Sequence, residues 1–338
     1  MVILGVESTA HTASVGIVTE RAEVLGLASD MYRPPSGGIH PREAANHHVD
    51  VLPGLVRAAL ESARVRPREI DAVAFAQGPG LGPCLRAGAT VARTLALRWN
   101  KPLVPVNHCV AHVEIARVLS GIDDPMLLYA SGGNTQVIAH GSGRYRVLGE
   151  TLDLGVGNFL DKLWLALGGS FPGGPALEAE ALHGHELLPL PYSVHGMDVA
   201  FSGLYTASLA QTAKGATRPN VAYSVETTAY SMLTEITERA LAHRRREAVV
   251  LGGGVACNER LRRMVREMAE GRGASSYAPP KALCVDNGAM IAWTGYLALQ
   301  CGMAVPIEAS VIDPRQRTDL VEAPWRAGGP LGVRPTRA

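Results

Sequence analysis

The sequence predicts an α/β protein of two lobes built on one repeated plan. Three observations predict it. Two β-hairpins with small polar tips stand far apart in the chain. Each is followed downstream by a strand, a glycine turn and a helix. The 338 residues are also about twice the length of one ordinary domain.

Val2 to Val6 is a short β-rich run, Glu7-Ser8-Thr9-Ala10-His11-Thr12 is a polar turn, and Ala13 to Val18 is apolar again. The pattern recurs with Met126 to Ala130, the turn Ser131-Gly132-Gly133-Asn134-Thr135, and Gln136 to Ala139. The second unit is Asp71 to Ala76, Gln77-Gly78-Pro79-Gly80-Leu81-Gly82 and a helix over Leu85 to Leu97. Its repeat is Ala248 to Leu251, Gly252-Gly253-Gly254 and a helix over Asn258 to Met268. The units start 69 residues apart in the first half (Val2 to Asp71) and 122 apart in the second (Met126 to Ala248). The second half therefore carries about fifty extra residues, which fall between Glu150 and Ala216. An insertion facing a cleft between lobes is where specificity is built. The expected division is an N-terminal lobe over 1–120 and a C-terminal lobe over 121–295. Segment 296–325 should pack back on the first lobe, and 326–338 should be a flexible tail.

Composition bounds the function. Lys plus Arg number 32 and Asp plus Glu 31, a net charge of +1, which excludes binding of nucleic acid through bulk positive charge. A local patch, or RNA held mainly by a partner, stays open. Apolar residues are 47% and charged residues 19%, enough for large cores and too little charge for wholesale disorder. The five cysteines are dispersed without a C-x-x-C, as expected of reduced thiols in a cytoplasmic protein. Met1 to Gly5 lacks a basic leader and reads as a first strand. The apolar stretch Ala289 to Ile307 is interrupted by Thr294, Gly295, Gln300, Gly302 and Pro306, so it reads as a buried helix rather than a membrane span.

The glycine turns present backbone N–H groups with no side chain in the way, which suits a phosphate or carboxylate. Four such turns in two matched pairs suit a nucleotide clamped between lobes. None is a Walker loop or a Rossmann fingerprint. Asn107 is a candidate N-cap for a helix over Val110 to Leu119. His108 and His112, at i and i+4, then share one helical face and can share a metal. A zinc peptidase would carry Glu after the first His as its general base; Cys109 stands there instead. Asp286 is either a third ligand or the N-cap of the apolar helix. His47 and His48 are adjacent, so they diverge and chelate poorly. Glu7 occupies the place of the acidic residue of a phosphate hairpin, one methylene longer than the usual Asp. The runs His243 to Arg246 and Arg260, Arg262, Arg263, Arg266 read as solvated helical faces.

Several motifs occur in a fixed order. They are Gly37-Gly38-Ile39-His40-Pro41-Arg42-Glu43-Ala44-Ala45-Asn46-His47-His48, His108-x-x-x-His112, Tyr129-Ala130-Ser131-Gly132-Gly133-Asn134-Thr135, Phe171-Pro172-Gly173-Gly174-Pro175, Phe201-Ser202-Gly203-Leu204 and Gly253-Gly254-Val255-Ala256-Cys257-Asn258. With this set, from about Val2 to Trp325, the chain closely resembles the tRNA threonylcarbamoyladenosine transferases, formerly called O-sialoglycoprotein endopeptidases. Tyr129 and the ending Ile312 to Asp319 resemble the archaeal and eukaryotic branch, the catalytic subunit of the KEOPS complex. Tyr205 stands where the family often has Lys, and Leu163-Trp164-Leu165 where Ala-Arg is more usual.

The resemblance implies the actin-like, sugar kinase and Hsp70-like (ASKHA) fold. It implies one divalent metal, iron or zinc, on His108, His112, Tyr129 and Asp286. It also implies that the substrate threonylcarbamoyl-adenylate touches Tyr129, Ala130, Ser131, Gly132, Gly133, Asp161, Gly174, Glu178 and Asn258, where ATP or AMP could equally sit. Glu7, His11, Gly253 and Gly254 are secondary candidates, and no general base is assigned. The implied reaction transfers the threonylcarbamoyl group to N6 of the adenosine 3′ of the anticodon in ANN-decoding tRNAs, releasing AMP. The implied partners are tRNA and three KEOPS subunits: a small atypical kinase, a dimerising subunit and a third small subunit. An ATPase of the same fold, or a nucleotide-binding scaffold for a kinase, is the competing expectation.

Overall fold

In the computed structural model, which describes residues 1–35 and 37–327, the chain forms two five-stranded sheets. The first half runs β1 (Val2–Glu7), β2 (Thr12–Thr19), β3 (Val24–Met31), α1 (Pro41–Ala63), β4 (Ala72–Gly78), α2 (Gly82–Trp99), β5 (Leu103–Asn107) and α3 (His108–Ser120). The second begins β6 (Met126–Ala130), β7 (Thr135–Gly141) and β8 (Arg144–Glu150). The extra segment supplies α4 (Val156–Ala166), α5 (Gly173–Ala181), β9 (Val194–His195), β10 (Asp198–Val199) and α6 (Ser202–Ala213). Then come α7 (Arg218–Arg244), β11 (Ala248–Gly252), α8 (Glu259–Gly271), β12 (Ser275–Tyr277), α9 (Lys281–Cys284) and α10 (Gly288–Gln300).

The first sheet has the order β3-β2-β1-β4-β5 and the second β12-β11-β6-β7-β8. Reversed, the second order matches the first strand for strand: an antiparallel three-strand meander, then two parallel strands. The expected duplication is thus present in topology, with both hairpins in the expected places. The central strands β1 and β6 are buried almost throughout, which is why they read as unbroken apolar runs rather than alternating ones.

The apolar helix is α10. It is buried nearly all round, the condition under which a helix loses its polar face. It presses on β1 and β2 at backbone distance. A Cβ on Gly16 would lie 2.2 Å from the Ala289 nitrogen, and one on Gly288 would lie 2.2 Å from the Gly16 nitrogen. The expected boundary at 295/296 therefore falls inside a helix whose first turn already packs on the first sheet. The following segment joins both sheets. The Asp313 N–H donates to the Gln77 carbonyl at 2.8 Å, and Asn107 Nδ2 donates to Gln316 Oε1 at 3.0 Å. Further on, the Ala323 N–H donates to the Gly143 carbonyl at 3.2 Å, and Trp325 Nε1 donates to Glu114 Oε1 at 2.7 Å. Most of the expected tail lies outside the described residues. Among the described residues no helix is long and apolar enough to cross a membrane.

Candidate functional site

Helix α3 starts where β5 ends, and Asn107 caps it: its Oδ1 accepts the Val110 N–H at 3.0 Å. That fixes the first turn, so His108 and His112 stand one above the other, both almost fully buried. Asp286 lies just before α10. The cap of α10 is its neighbour Asn287, whose Oδ1 accepts the Met290 N–H at 2.9 Å. The Asp286 carboxylate is thereby free to turn to the histidines. Its Oδ1 lies 3.2 Å from His112 Nε2 and 3.4 Å from His108 Nε2. The Tyr129 hydroxyl, near the end of β6, lies 2.9 Å from His108 Nε2.

These groups fit a divalent metal. Ligand atoms of His108, His112 and Asp286 all lie within 4.8 Å of one another, and two imidazoles with a carboxylate suit zinc or iron. The far nitrogen of His108 is engaged as a metal ligand's should be, since Nδ1 lies 2.8 Å from Glu7 Oε2. Glu7 is wholly buried, and its other oxygen accepts the Thr9 N–H at 2.6 Å. Burial opposes charge on His108, but the Glu7 carboxylate, with Tyr129 and Asp286, raises its pKa well above the ordinary range. Burial lowers that of His112. Burial alone would raise Asp286; the two histidines instead hold it well below the carboxylate range. A neutral His112 and an ionised Asp286 are the protonation states that metal ligation requires, whereas His108 holds a proton that a bound metal would displace.

His108, Tyr129 and Asp286 of this cluster line a cleft of about 550 Å³. Three turns wall it: Thr9 to His11 after β1, Pro79 to Leu81 after β4, and Ser131 to Asn134 after β6. The carbonyls of Ser131 and Gly132 accept the N–H groups of Gly157 and Asn158, at 3.0 Å each. No partner among the described residues takes the N–H of Gly132 or Gly133. The contact is close because the α4 side is glycine: a Cβ on Gly157 would lie 2.8 Å from the Gly132 Cα, and one on Gly155 would lie 2.3 Å from the Gly132 oxygen.

The other candidates are placed as follows. Asp161 lines the cleft, and its Oδ1 accepts the N–H groups of Gly173 and Gly174 at 2.7 and 3.2 Å. Burial raises its pKa. Tyr129, Ser131, Gly132, Gly133 and His11 also line the cleft, and His11 meets Phe171 edge to face at 5.6 Å. Ala130, Gly174, Glu178, Asn258, Gly253 and Gly254 do not line it. Gly253, at φ +95°, backs the Ser131 turn, and a Cβ there would lie 2.4 Å from the Ala130 oxygen. Glu178 Oε1 accepts the Glu259 N–H at 3.0 Å. Asn258 caps α8, accepting the Arg260 and Leu261 N–H groups at 2.9 and 3.1 Å, and donates to Glu226 Oε1 at 2.8 Å.

His47 lies 2.9 Å from Asp30, whereas His48 is buried and lowered to about 4, chiefly by that burial. The basic runs meet partners within the fold: Arg246 pairs with Asp124, Arg260 with Glu226 and Arg263 with Glu267. Sequence reasoning named Asp161 through the resemblance but missed the rest of the cleft face of α4, where Asn158, Lys162 and Leu165 line the site beside it. The i, i+3, i+4, i+7 spacing of the four was the available signal.

Comparison with known proteins completes the picture. Residues 23–293 match the model of the TsaD family, tRNA N6-adenosine threonylcarbamoyltransferase. The chain is 52% identical over 326 residues to the tRNA N6-adenosine threonylcarbamoyltransferase of Thermococcus kodakarensis, covering 96% of this chain and 100% of that protein. It is 51% identical over 325 residues to the probable bifunctional tRNA threonylcarbamoyladenosine biosynthesis protein of Thermoplasma volcanium, of which the match covers 62%. The chain thus spans about three fifths of that relative's length. HypF of T. kodakarensis superposes with a TM-score of 0.64 at 16% identity, over 89% of this chain and 48% of HypF. Component A of (R)-2-hydroxyglutaryl-CoA dehydratase from Acidaminococcus fermentans gives 0.54 at 15%, over 88% and 98%. The two structural likenesses speak for the ASKHA-type fold alone; the sequence matches settle the family, and this chain belongs to the tRNA N6-adenosine threonylcarbamoyltransferases.

Proposed function

We propose that the cleft transfers the threonylcarbamoyl group of threonylcarbamoyl-adenylate to N6 of the adenosine 3′ of the anticodon in ANN-decoding tRNAs. One observation carries the reading: the same cleft joins free turn N–H groups, suited to an adenylate phosphate, to a buried His-His-Asp cluster with a tyrosine hydroxyl beside it. The amine nitrogen bonds to the carbamoyl carbon, the bond from that carbon to the phosphate oxygen breaks, and AMP leaves. One divalent metal, iron or zinc, on His108, His112, Tyr129 and Asp286 would supply Lewis acidity toward the carbonyl or the leaving oxygen.

The chain's own residues do the rest. The Gly132 and Gly133 N–H groups receive the phosphate and the charge it gains on leaving. Asp161, its Oδ1 occupied, offers the other oxygen to ribose hydroxyls. Gly174, Glu178 and Asn258, on α5 and at the N-cap of α8 outside the cleft lining, would extend the nucleoside site, with Gly253 backing the Ser131 turn and Gly254 beside it. His11, which lines the cleft wall, is the remaining candidate to take the amine's proton. Glu7 is not, because both its oxygens are engaged. That engagement also speaks against the ATPase reading, which needs an acidic group free to order hydrated magnesium at the first turn.

The target adenine leaves its stack to reach a buried metal, which favours anticodon-loop RNA over duplex. The near-neutral charge suits tRNA held partly by KEOPS subunits: a small atypical kinase, a dimerising subunit and a third small subunit. Relatives named bifunctional, longer than this chain, support a physically linked partner. We place the reaction in the cytoplasm.

The test supplies metal-loaded protein and partner subunits with preformed threonylcarbamoyl-adenylate and an ANN-decoding tRNA, and follows modified adenosine by mass spectrometry. Product that is lost in His108→Ala is expected. No product, with ATP hydrolysis persisting, would overturn the reading.

A further inference from the structure

Threonylcarbamoyl-adenylate carries two negative charges at neutral pH, one on the phosphate and one on the threonine carboxylate. The cleft that receives it is poor in fixed positive charge. A divalent metal would be offset by Asp286 and by Glu7 behind His108, and Asp161 adds a carboxylate to the wall. Among the cleft-lining residues the one lysine or arginine is Lys162.

Its placement follows from α4. Positions 156, 157, 159, 160, 163 and 164 are buried, so the helix turns the stripe Asn158, Asp161, Lys162 and Leu165 into the cleft. Asn158 touches the Ser131 turn, where its N–H donates to the Gly132 carbonyl at 3.0 Å. Lys162 stands one turn further on, about 6 Å along the axis. Asp161 is held by Gly173 and Gly174, and Lys162 forms no ion pair among the described residues. Its ammonium lies 5.5 Å from the Tyr205 ring centroid, which offers a resting place but no countercharge.

We propose that Lys162 is the cleft's anion-binding side chain, and that its ammonium pairs with an anionic oxygen of the acyl-adenylate, either the phosphate or the threonine carboxylate. This rests on the adenylate reading above. Lys162 is solvent-exposed in the cleft, and a charge-assisted contact that a bound ligand covers is worth about a tenfold change in affinity, about 1.4 kcal/mol.

Metal-loaded wild type, Lys162→Met and Lys162→Arg would be titrated by calorimetry with three ligands. They are AMP, a non-hydrolysable phosphonate analogue of the acyl-adenylate, and the same analogue with its carboxylate converted to the carboxamide. Lys162→Met should bind the carboxylate analogue about tenfold more weakly, and Lys162→Arg should restore most of the loss. If AMP weakens by the same factor, the phosphate is the partner. If AMP is unaffected and the carboxamide costs wild type, but not Lys162→Met, that factor, the carboxylate is the partner. Lys162→Met binding all three ligands as tightly as wild type would overturn the assignment alone. Wild type that binds neither AMP nor the analogue would remove the adenylate reading and this assignment with it.

Discussion

Replacing Glu226 by Gln should stabilise the protein at high pH and leave it unchanged at low pH. The Glu226 side chain is 2% exposed, on α7. Burial raises its pKa to about 7 from the ordinary 4.5, although Arg260 and Asn258 pull the other way and Glu178 adds to the rise. Its carboxylate accepts from Asn258 Nδ2 at 2.8 Å and from the Tyr230 hydroxyl at 3.4 Å, and pairs with Arg260 Nε at 3.3 Å. An acid whose pKa is higher folded than unfolded keeps its proton longer in the folded state. Stability therefore falls as pH rises from about 4.5 through about 7, and the full cost is about 3 kcal/mol at about 1.4 kcal/mol per pH unit. Glutamine keeps the shape and the Asn258 contact and cannot ionise. Arg260 retains Thr227 Oγ1 at 3.0 Å and the face of Tyr223. Urea unfolding of both proteins at pH 5, 6, 7 and 8 should show a gap in the variant's favour that widens by about 2–3 kcal/mol across the series. A gap that stays constant, or a variant less stable at pH 8, would refute the reasoning.

Three further outcomes are expected. Glu7→Gln should weaken zinc binding by about 10–100-fold in a chelator competition, because it loosens the carboxylate that orients His108; unchanged affinity would deny Glu7 that role. Gly288→Ala drives a methyl group into the Gly16 backbone at 2.2 Å, so its stability loss should reach or exceed about 3 kcal/mol, read as the denaturation midpoint or as loss of soluble protein. Arg117→Met removes the guanidinium that donates to Glu114 Oε2 at 2.7 Å and should cost about 3–5 kcal/mol, because the carboxylate stays buried; adding Glu114→Gln should recover part of that loss.

What was legible in the sequence was what a single element carries. The hairpin tips, the glycine turns and the i, i+4 histidines behind Asn107 each lie within one short local unit, where spacing translates directly into geometry. What was not legible depends on contacts between distant segments. Asp286 could be cap or ligand, and only the Asn287 side chain on Met290 N–H separates the two. Tyr129 sits in a strand buried on both faces, where no alternation marks one hydroxyl as turned toward a metal site. Its proposed place beside the His-His-Asp cluster came from resemblance alone. Glu7 was noticed as the acidic residue of a phosphate hairpin, but its place behind His108 went unread, because that partner is 101 residues away.

The stripe on α4 is a different case, since its signal was local and still went unread. Its cleft-facing positions are polar except Leu165, and the buried ones between them are apolar except Gly157. A surface helix gives the same pattern. An amphipathic period says that one face is not core; it does not say whether that face meets bulk water or a cavity. The difference here comes from glycine. Gly155 and Gly157 let the start of α4 lie against Gly132 at a distance that any side chain would forbid, and this sets the polar face, still exposed at Asn158 and Lys162, along the cleft beside the Ser131 turn. Glycines at the start of a helix that lies on another segment's backbone therefore mark where that helix is drawn into a site. Here Gly155 and Gly157 bring a polar helix face to the same cleft as His108 and Asp286.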